Sequence, residues 1–288
     1  MEVRIVQTEN ILESLEKINK ISNEEWLASL SLRKCKELEF HNRDRDVNFK
    51  KEAQLDQDTF EKFYGNRKYY TATKKSKIYI EQWLAKNTPG KICLDYACGN
   101  GELAIKMAQL GAKLAIGLDI SNVSIENASY AAKVENVTEN TRFIQADAEN
   151  TLLPDNSIDV IICSGMLHHL DLSYAFPELR RILSPGGKIL AIEALDYNPF
   201  IKLYRTLTPS MRTEWEKAHI LSMKDVDFAS RFFDVGEIKF WHVVSYIGGK
   251  FPSLLPLLEK IDTVLTCIPG VRLLAWIFSF ELLKRDES

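Results

Sequence analysis

The chain has 288 residues, enough for one large domain with a generous core or for a domain plus a cap. Hydrophobic residues make up 45% and charged residues 27%, the balance of an ordinary globular protein, and a formal charge of -3 offers no electrostatic basis for binding DNA or RNA. The five cysteines (Cys35, Cys93, Cys98, Cys163 and Cys267) are scattered, with no C-x-x-C pair and no histidine at zinc spacing. They read as reduced thiols of a cytoplasmic protein, and no metal site is expected.

The N-terminal stretch "MEVRIVQTENILESLEKINK" carries acids throughout and lacks the apolar core of a secretion signal. From there to residue 88 the pattern is helical, with apolar positions at helical spacing (Ile11, Leu15, Ile18; Trp26, Leu27, Leu30), and is read as an N-terminal cap. Residues 89 to 193 alternate short β-branched runs with helical stretches: "KICLDY", "KLAIGLDI", "TRFIQAD", "IDVIICS" and "GKILAIEAL" are the strands. Such alternation predicts a parallel sheet covered on both faces, and a run such as "VIIC" suits a strand buried on both sides. Beyond residue 194 the pattern turns helical again, with later strands at "GEIKFWHVV" and "AWIFSFELL" forming an antiparallel pair at the sheet edge. Lid insertions are expected at about 196–222 and 245–272 of a main domain spanning 89–288. No segment reaches the roughly 18 apolar residues of a membrane span, since Glu259, Lys260, Asp262, Pro269 and Arg272 interrupt the most apolar tail.

The stretch "LDYACGNGEL", residues 94–103, runs from a strand through small residues into a helix. In an open parallel sheet, ligands bind outside the carboxyl ends of the strands, and small residues there let the backbone approach them. A dinucleotide fingerprint is excluded: with Ala97 and Gly99 as its first two small positions, Glu102 falls where a Gly or Ala is required, and its charge would repel a pyrophosphate. Asp95 suits a ligand with a cationic amine, and Asp119, twenty residues after Gly99, ends the second strand where a carboxylate can accept from both hydroxyls of a ribose.

Five ordered segments resemble the class I S-adenosylmethionine-dependent methyltransferases of the small-molecule type: "LDYACGNGEL", "GLDIS", "FIQADAEN", "LPDNSIDVIICSGMLHHL" and "LRRILSPGGKILAIEAL". Ala97 departs from the glycine usual in that family. The resemblance implies a Rossmann-like, seven-stranded, mostly parallel sheet with an antiparallel last strand, a helical N-terminal cap and lid insertions, and S-adenosyl-L-methionine as cofactor. It assigns Asp95, Ala97, Gly99 and Gly101 to the methionine end of the cofactor, Asp119 and Ile120 to the ribose segment, Asp147 and Ala148 to the adenine, and Ser164 to the wall near the sulfonium. Taken singly, these residues also fit a plain turn or, for Asp119, a helix cap.

For methyl transfer the protein must align donor and acceptor and, for some acceptors, remove a proton. His168, after the fourth strand, is the first candidate base, with His169 beside it and Glu193 at the end of the fifth strand as the second; loop shaping and an ion pair are the alternative roles. Tyr70 is assigned to the cofactor and Tyr69 to the acceptor, against simple helix packing. His41, Tyr204 and Trp241 complete the candidate acceptor contacts, and the aromatic residues outside the core predict an apolar pocket beneath a lid. The expected partner is a small-molecule acceptor, with monomer and homodimer both open. A tailoring enzyme of secondary metabolites or sugars, an enzyme of membrane-associated lipids or quinones, and a non-catalytic cofactor-binding scaffold are the three readings. A base-modifying nucleic-acid enzyme is disfavoured because "SGMLHH" lacks the Asn/Asp-Pro-Pro-aromatic signature.

Overall fold

Seven short runs pair into one sheet whose central strands carry apolar side chains on both faces and so need cover on both, while the two edge strands are partly exposed. The computed structural model describes residues 2–46 and 64–285; of the segment read as a cap, residues 47–63 lie outside them. The strands are β1 (Ile92–Tyr96), β2 (Leu114–Asp119), β3 (Thr141–Gln145), β4 (Ile158–Ser164), β5 (Leu183–Ala194), β6 (Phe233–Trp241) and β7 (Ile277–Lys284). Their order is β3-β2-β1-β4-β5-β7-β6, as expected for the Rossmann-like sheet. The first five are mutually parallel, and β7 runs antiparallel to both β5 and β6.

Every residue of β1 and β2 is buried. Alternate side chains feed two cores. Leu94, Tyr96, Ile116 and Leu118 join Phe176, Phe278 and Phe280 on one face. Cys93, Ala115 and Leu190 join Ile80, Trp83, Leu84 and Met107 on the other. Helices fill both sides: α4 (Lys74–Asn87) and α5 (Glu102–Gln109) supply the second core, while α6 (Asn122–Val134) follows β2 and α7 (Leu172–Ile182) precedes β5. Helix α4 is held to the far end of the sheet by a hydrogen bond from Trp83 Nε1 to Glu281.

The remaining helices flank both ends of the sheet, with Glu2–Asn19 against β3 and Met223–Ala229 against β6. In α1 (Glu2–Asn19), Ile11, Leu15 and Ile18 sink into the first core. The short α2 (Asn23–Ser29) begins in a capping box formed by Ser22 and Glu25, and α3 (Leu32–Arg45) starts at the Ser31 cap. The insertion after β5 folds as α8 (Pro199–Leu207), a 3-10 turn and α9 (Glu214–Ala218), followed by α10 (Met223–Ala229). That before β7 contains 3-10 turns and α11 (Leu255–Leu265). None of the described helices is long and apolar enough to cross a membrane.

Because β2 and β4 flank β1, the chain leaves the carboxyl end of β1 in one direction and that of β4 in the other, which opens a crevice between them. Crossing the back of this crevice, Phe143 packs tightly against Gly117, where an added Cβ would stand 2.6 Å from the ring. Gly117→Ala is expected to cost about 1–3 kcal/mol of stability through overpacking, read from urea denaturation midpoints. A midpoint equal to wild type would show that the ring has room to move.

Candidate active site

The turn after β1 is built from strained and small residues. Ala97 adopts φ 59°, the left-handed region that an alanine enters at a cost of about 1–2 kcal/mol, and Gly101 takes φ 81° just before α5. The turn is held there by Cys98 N–H donating to Leu118 O (2.8 Å) and Gly99 N–H donating to Asp119 Oδ2 (2.8 Å). Ser121 N–H donates to the other oxygen of Asp119 (2.8 Å). Burial raises the Asp119 pKa, and these backbone N–H groups offset part of that rise. Asp95 stands behind the turn, fully buried, accepting from Ala104 N–H at 3.0 Å and pushed up to about 7, chiefly by burial.

Two cavities and a wider cleft meet at the carboxyl edge. The first, enclosing about 670 Å³, is walled by Ala97, Asp119, Ile120, Asp147, Ala148 and Ser164 on the sheet side and covered by α3. Gly99, Gly101 and Asp95 do not line it, and the Arg45 guanidinium lies over Gly99, with Nη2 3.3 Å from where a Cβ would be. Lys34 reaches Asp147 Oδ2 at 2.6 Å and Glu149 Oε2 at 2.9 Å, and Arg33 pairs with Glu149. Burial pulls the Lys34 ammonium down, yet its bonds to the two carboxylates leave it above its usual value. Lys34, Arg45 and Glu149 escaped the sequence reading because their partners lie about a hundred residues away; only the concentration of charge in "LRKCKELEFHNRDR" hinted at α3.

The second cavity encloses about 820 Å³ between α8, α9 and the 3-10 turn Arg67–Ala72. Tyr69, Tyr70 and Tyr204 line it, with Tyr69 edge-on to Tyr204 at 5.6 Å and Tyr70 against Trp276 at 5.1 Å. Trp241 lines none of these cavities: it tilts against Tyr79 and donates from Nε1 to Ser279 Oγ (3.0 Å). The cleft, about 1460 Å³, joins the two cavities along Ser164, His168, His169 and Glu193.

At that junction the sequence candidates His168 and Glu193 form one hydrogen-bonded pair. His168 Nδ1–H donates to Glu193 Oε2 at 2.6 Å, because an ionised carboxylate only accepts. Glu193 Oε1 accepts from Met166 N–H (2.8 Å) and Leu167 N–H (2.7 Å). These bonds occupy Glu193 in holding the loop and the ring, and leave His168 Nε2 turned toward Glu216 Oε1, 4.0 Å away. Burial lowers the His168 pKa, but the charge and hydrogen bond of Glu193 and the charge of Glu216 outweigh it, so the imidazole stands above its usual value. His169 instead donates to Glu37 Oε2 on α3 at 3.0 Å. His41, also on α3, is edge-on to His169 at 4.8 Å and well below its usual pKa, through burial and the neighbouring histidine charge. Folding thus brings Glu37, His41 and His169 within metal-ligand reach of one another, in a region where α3 also places Arg33, Lys34 and Arg45.

Residues 94–191 match the methyltransferase domain family. The 27-O-demethylrifamycin SV methyltransferase of Amycolatopsis mediterranei is 37% identical over 101 residues, 35% of this chain and 37% of that relative. The match therefore spans little more than a third of the relative's length. Among solved structures, the magnesium protoporphyrin IX methyltransferase of Synechocystis PCC 6803 with bound SAH superposes with a TM-score of 0.57 at 18% identity, over 88% of this chain and all of that one. The [4+2]-cyclase SpnF superposes at 0.54 and 18% identity, over 73% and 81% of the chains. One sheet therefore carries more than one chemistry, and the side chains must decide between them.

The His168–Glu193 pair gives a direct test. A proton-detected titration of the imidazole should show its pKa above 6.5 in the wild type and below 6.5 in Glu193→Gln, where burial is left without the carboxylate charge. An unchanged midpoint would mean that Glu193 does not govern the ring.

Proposed function

We propose that the chain is a class I S-adenosylmethionine-dependent methyltransferase, supported by the match of residues 94–191, and that it transfers a methyl group to a small organic acceptor with an apolar portion, held in the cavity that His168 faces. The observation that carries this reading is the buried His168–Glu193 pair set between two cavities, one bordered by carboxylates and the other by aromatic rings.

The donor groups of the cofactor fit the first cavity. Each Asp119 oxygen accepts one backbone N–H and keeps lone pairs for ribose hydroxyls. Asp147 and the Ala148 backbone would receive the adenine, with the exocyclic amine sharing Asp147 with Lys34. Ile120 offers an apolar wall, and Arg45 over the Gly99 turn would meet the methionine carboxylate. S-adenosylmethionine supplies an activated methyl group on a sulfonium. The protein's tasks are then alignment and proton removal.

His168 performs the second task. With Nδ1 committed to Glu193, Nε2 is the acceptor that takes a proton from an O–H or charged amine at the cavity, and Glu193 stabilises the imidazolium that results. The base works when neutral, so turnover should fall as pH drops below the raised His168 pKa. Tyr69 and Tyr204 shape the acceptor space, Tyr70, expected at the cofactor, lines this second cavity rather than the first, and we assign the N-terminal cap and the segments around α8, α9 and α11 to closing it. A tailoring role on a secondary metabolite suits this aromatic pocket. Delivery from a membrane surface is the second reading, favoured by exposed Phe200, Leu203 and Leu207 on α8 at the cavity mouth.

Asp119→Ala should weaken S-adenosylhomocysteine binding at least about tenfold by calorimetry, the worth of one charge-assisted hydrogen bond, with the far-UV spectrum unchanged. Unaltered affinity would remove Asp119 from the site. Transfer from methyl-labelled S-adenosylmethionine into extracts of the source organism, read by mass spectrometry, identifies the acceptor. With that acceptor, His168→Ala should lower kcat by about 10²–10⁴ while cofactor binding persists. Label in no compound, despite cofactor binding, would favour the scaffold.

A further inference from the structure

The second cavity is mostly aromatic and aliphatic, yet two arginines enter it. Arg205 and Arg212 are almost buried, with side chains 12% and 9% exposed, and both line the cavity beside Phe200, Ile201, Ile220 and Trp276. Arg212 is well supplied. Its Nη1 donates to Thr208 O (3.0 Å) and Oγ1 (3.1 Å), and its Nε lies 3.4 Å from Glu216 Oε1. Arg205 is not: Nη1 is buried without a hydrogen-bond partner, and its ion-pair contact is a 3.5 Å approach to Asp196 Oδ1. Asp196 is itself taken by Lys202 at 2.8 Å. Among the Arg, Lys, Asp and Glu side chains that line the cavity, Arg205 and Arg212 meet a single carboxylate, Glu216, which leaves one positive charge in excess. Burial, and then the charge of Arg212, lower the pKa of Arg205, as expected of a guanidinium short of counter-charge.

A buried charge is costly until it is paired and hydrogen-bonded, and a guanidinium fork matches carboxylate and phosphate oxygens in a bidentate manner. We infer that Arg205, backed by Arg212, is an anion subsite in this cavity, and that the acceptor is an acid: an apolar or aromatic body bearing a carboxylate or phosphate. The anionic group docks on the unpaired Arg205 N–H, the body lies against Phe200, Ile201 and Trp276, and the nucleophile is presented to His168 on the same cavity wall. The word acceptor rests on the methyltransferase reading; the subsite itself rests on the arginines.

Two fluorescent probes with one skeleton separate charge from apolarity: 1-anilinonaphthalene-8-sulfonate and the uncharged N-phenyl-1-naphthylamine. The wild type should bind the sulfonate about 10–100-fold more tightly than the neutral probe, the worth of one charged hydrogen-bonded contact. Arg205→Met should abolish that preference and leave the neutral probe's Kd unchanged, while Arg205→Lys retains part of it. Removal of an underpaired buried charge should not lower Tm, and Arg212→Met provides a second variant if it does. Equal affinity for the two probes in the wild type, or a sulfonate Kd that ignores Arg205→Met, overturns the subsite. Titration of each protein with S-adenosylhomocysteine keeps the two ideas apart. Cofactor binding without an anion preference sinks the subsite alone, whereas an anion preference without cofactor binding sinks the methyltransferase reading alone. Among acids in the labelled extract, carboxylates and phosphates are told apart by product mass.

Discussion

The Glu193 carboxylate is the constraint on which the site depends. It is almost fully buried at the end of β5, where an uncompensated charge would cost several kcal/mol (about 3–5 when a buried partner is lost), and three donors compensate it. All three come from the single loop that follows β4. The loop must therefore close onto β5, which aims His168 Nε2 into the cavity and places His169 against Glu37 of α3. One buried charge thus sets the orientation of the His168 ring and ties the loop after β4 to α3.

The other anchors of α3 are polar and largely buried. Arg33 and Lys34 bind Glu149 and Asp147, Asn42 receives a hydrogen bond from Ser121 (2.6 Å), and Asn127 donates to the Arg45 carbonyl (3.1 Å). Polar anchoring of this kind differs from the attachment of α1, whose Ile11, Leu15 and Ile18 belong to the core. Ion pairs exchange partners at modest cost, since each carboxylate can accept several donors, whereas apolar helices cannot leave a core without exposing it.

The second cavity follows a different logic. Its walls come from the 3-10 turn at Arg67–Ala72, from α8 and α9, and from Trp276 before β7, four pieces of chain joined by aromatic edges. Gly249, in the neighbouring 3-10 turn Ser245–Gly249, lets the Arg67–Ala72 turn approach closely, because a Cβ there would stand 2.6 Å from the backbone of Lys68 and Tyr69. The first cavity draws its carboxylates from strand ends and the loops after them, whereas the second is lined largely by the insertion after β5 and the turn before α4.

Local pattern was sufficient for everything that one strand, one turn or one helix decides. The strand runs, the small-residue turn at residues 97–101 and the acid ending β2 are all properties of neighbouring residues, and the parallel pairing of β1 to β5 follows from strands that alternate with helices. Even the identities of His168 and Glu193 were readable, because one follows β4 closely and the other lies at the end of β5. Their union into one pair was not, since it depends on how far the β4 loop bends toward β5. Nor was the place of Lys34 and Arg45 above the first cavity, the position of Trp241 against Tyr79, or the underpaired charge of Arg205. Those depend on contacts across dozens to more than a hundred residues. Burial and counter-charge are set by the neighbours that folding brings, and a linear pattern does not specify them.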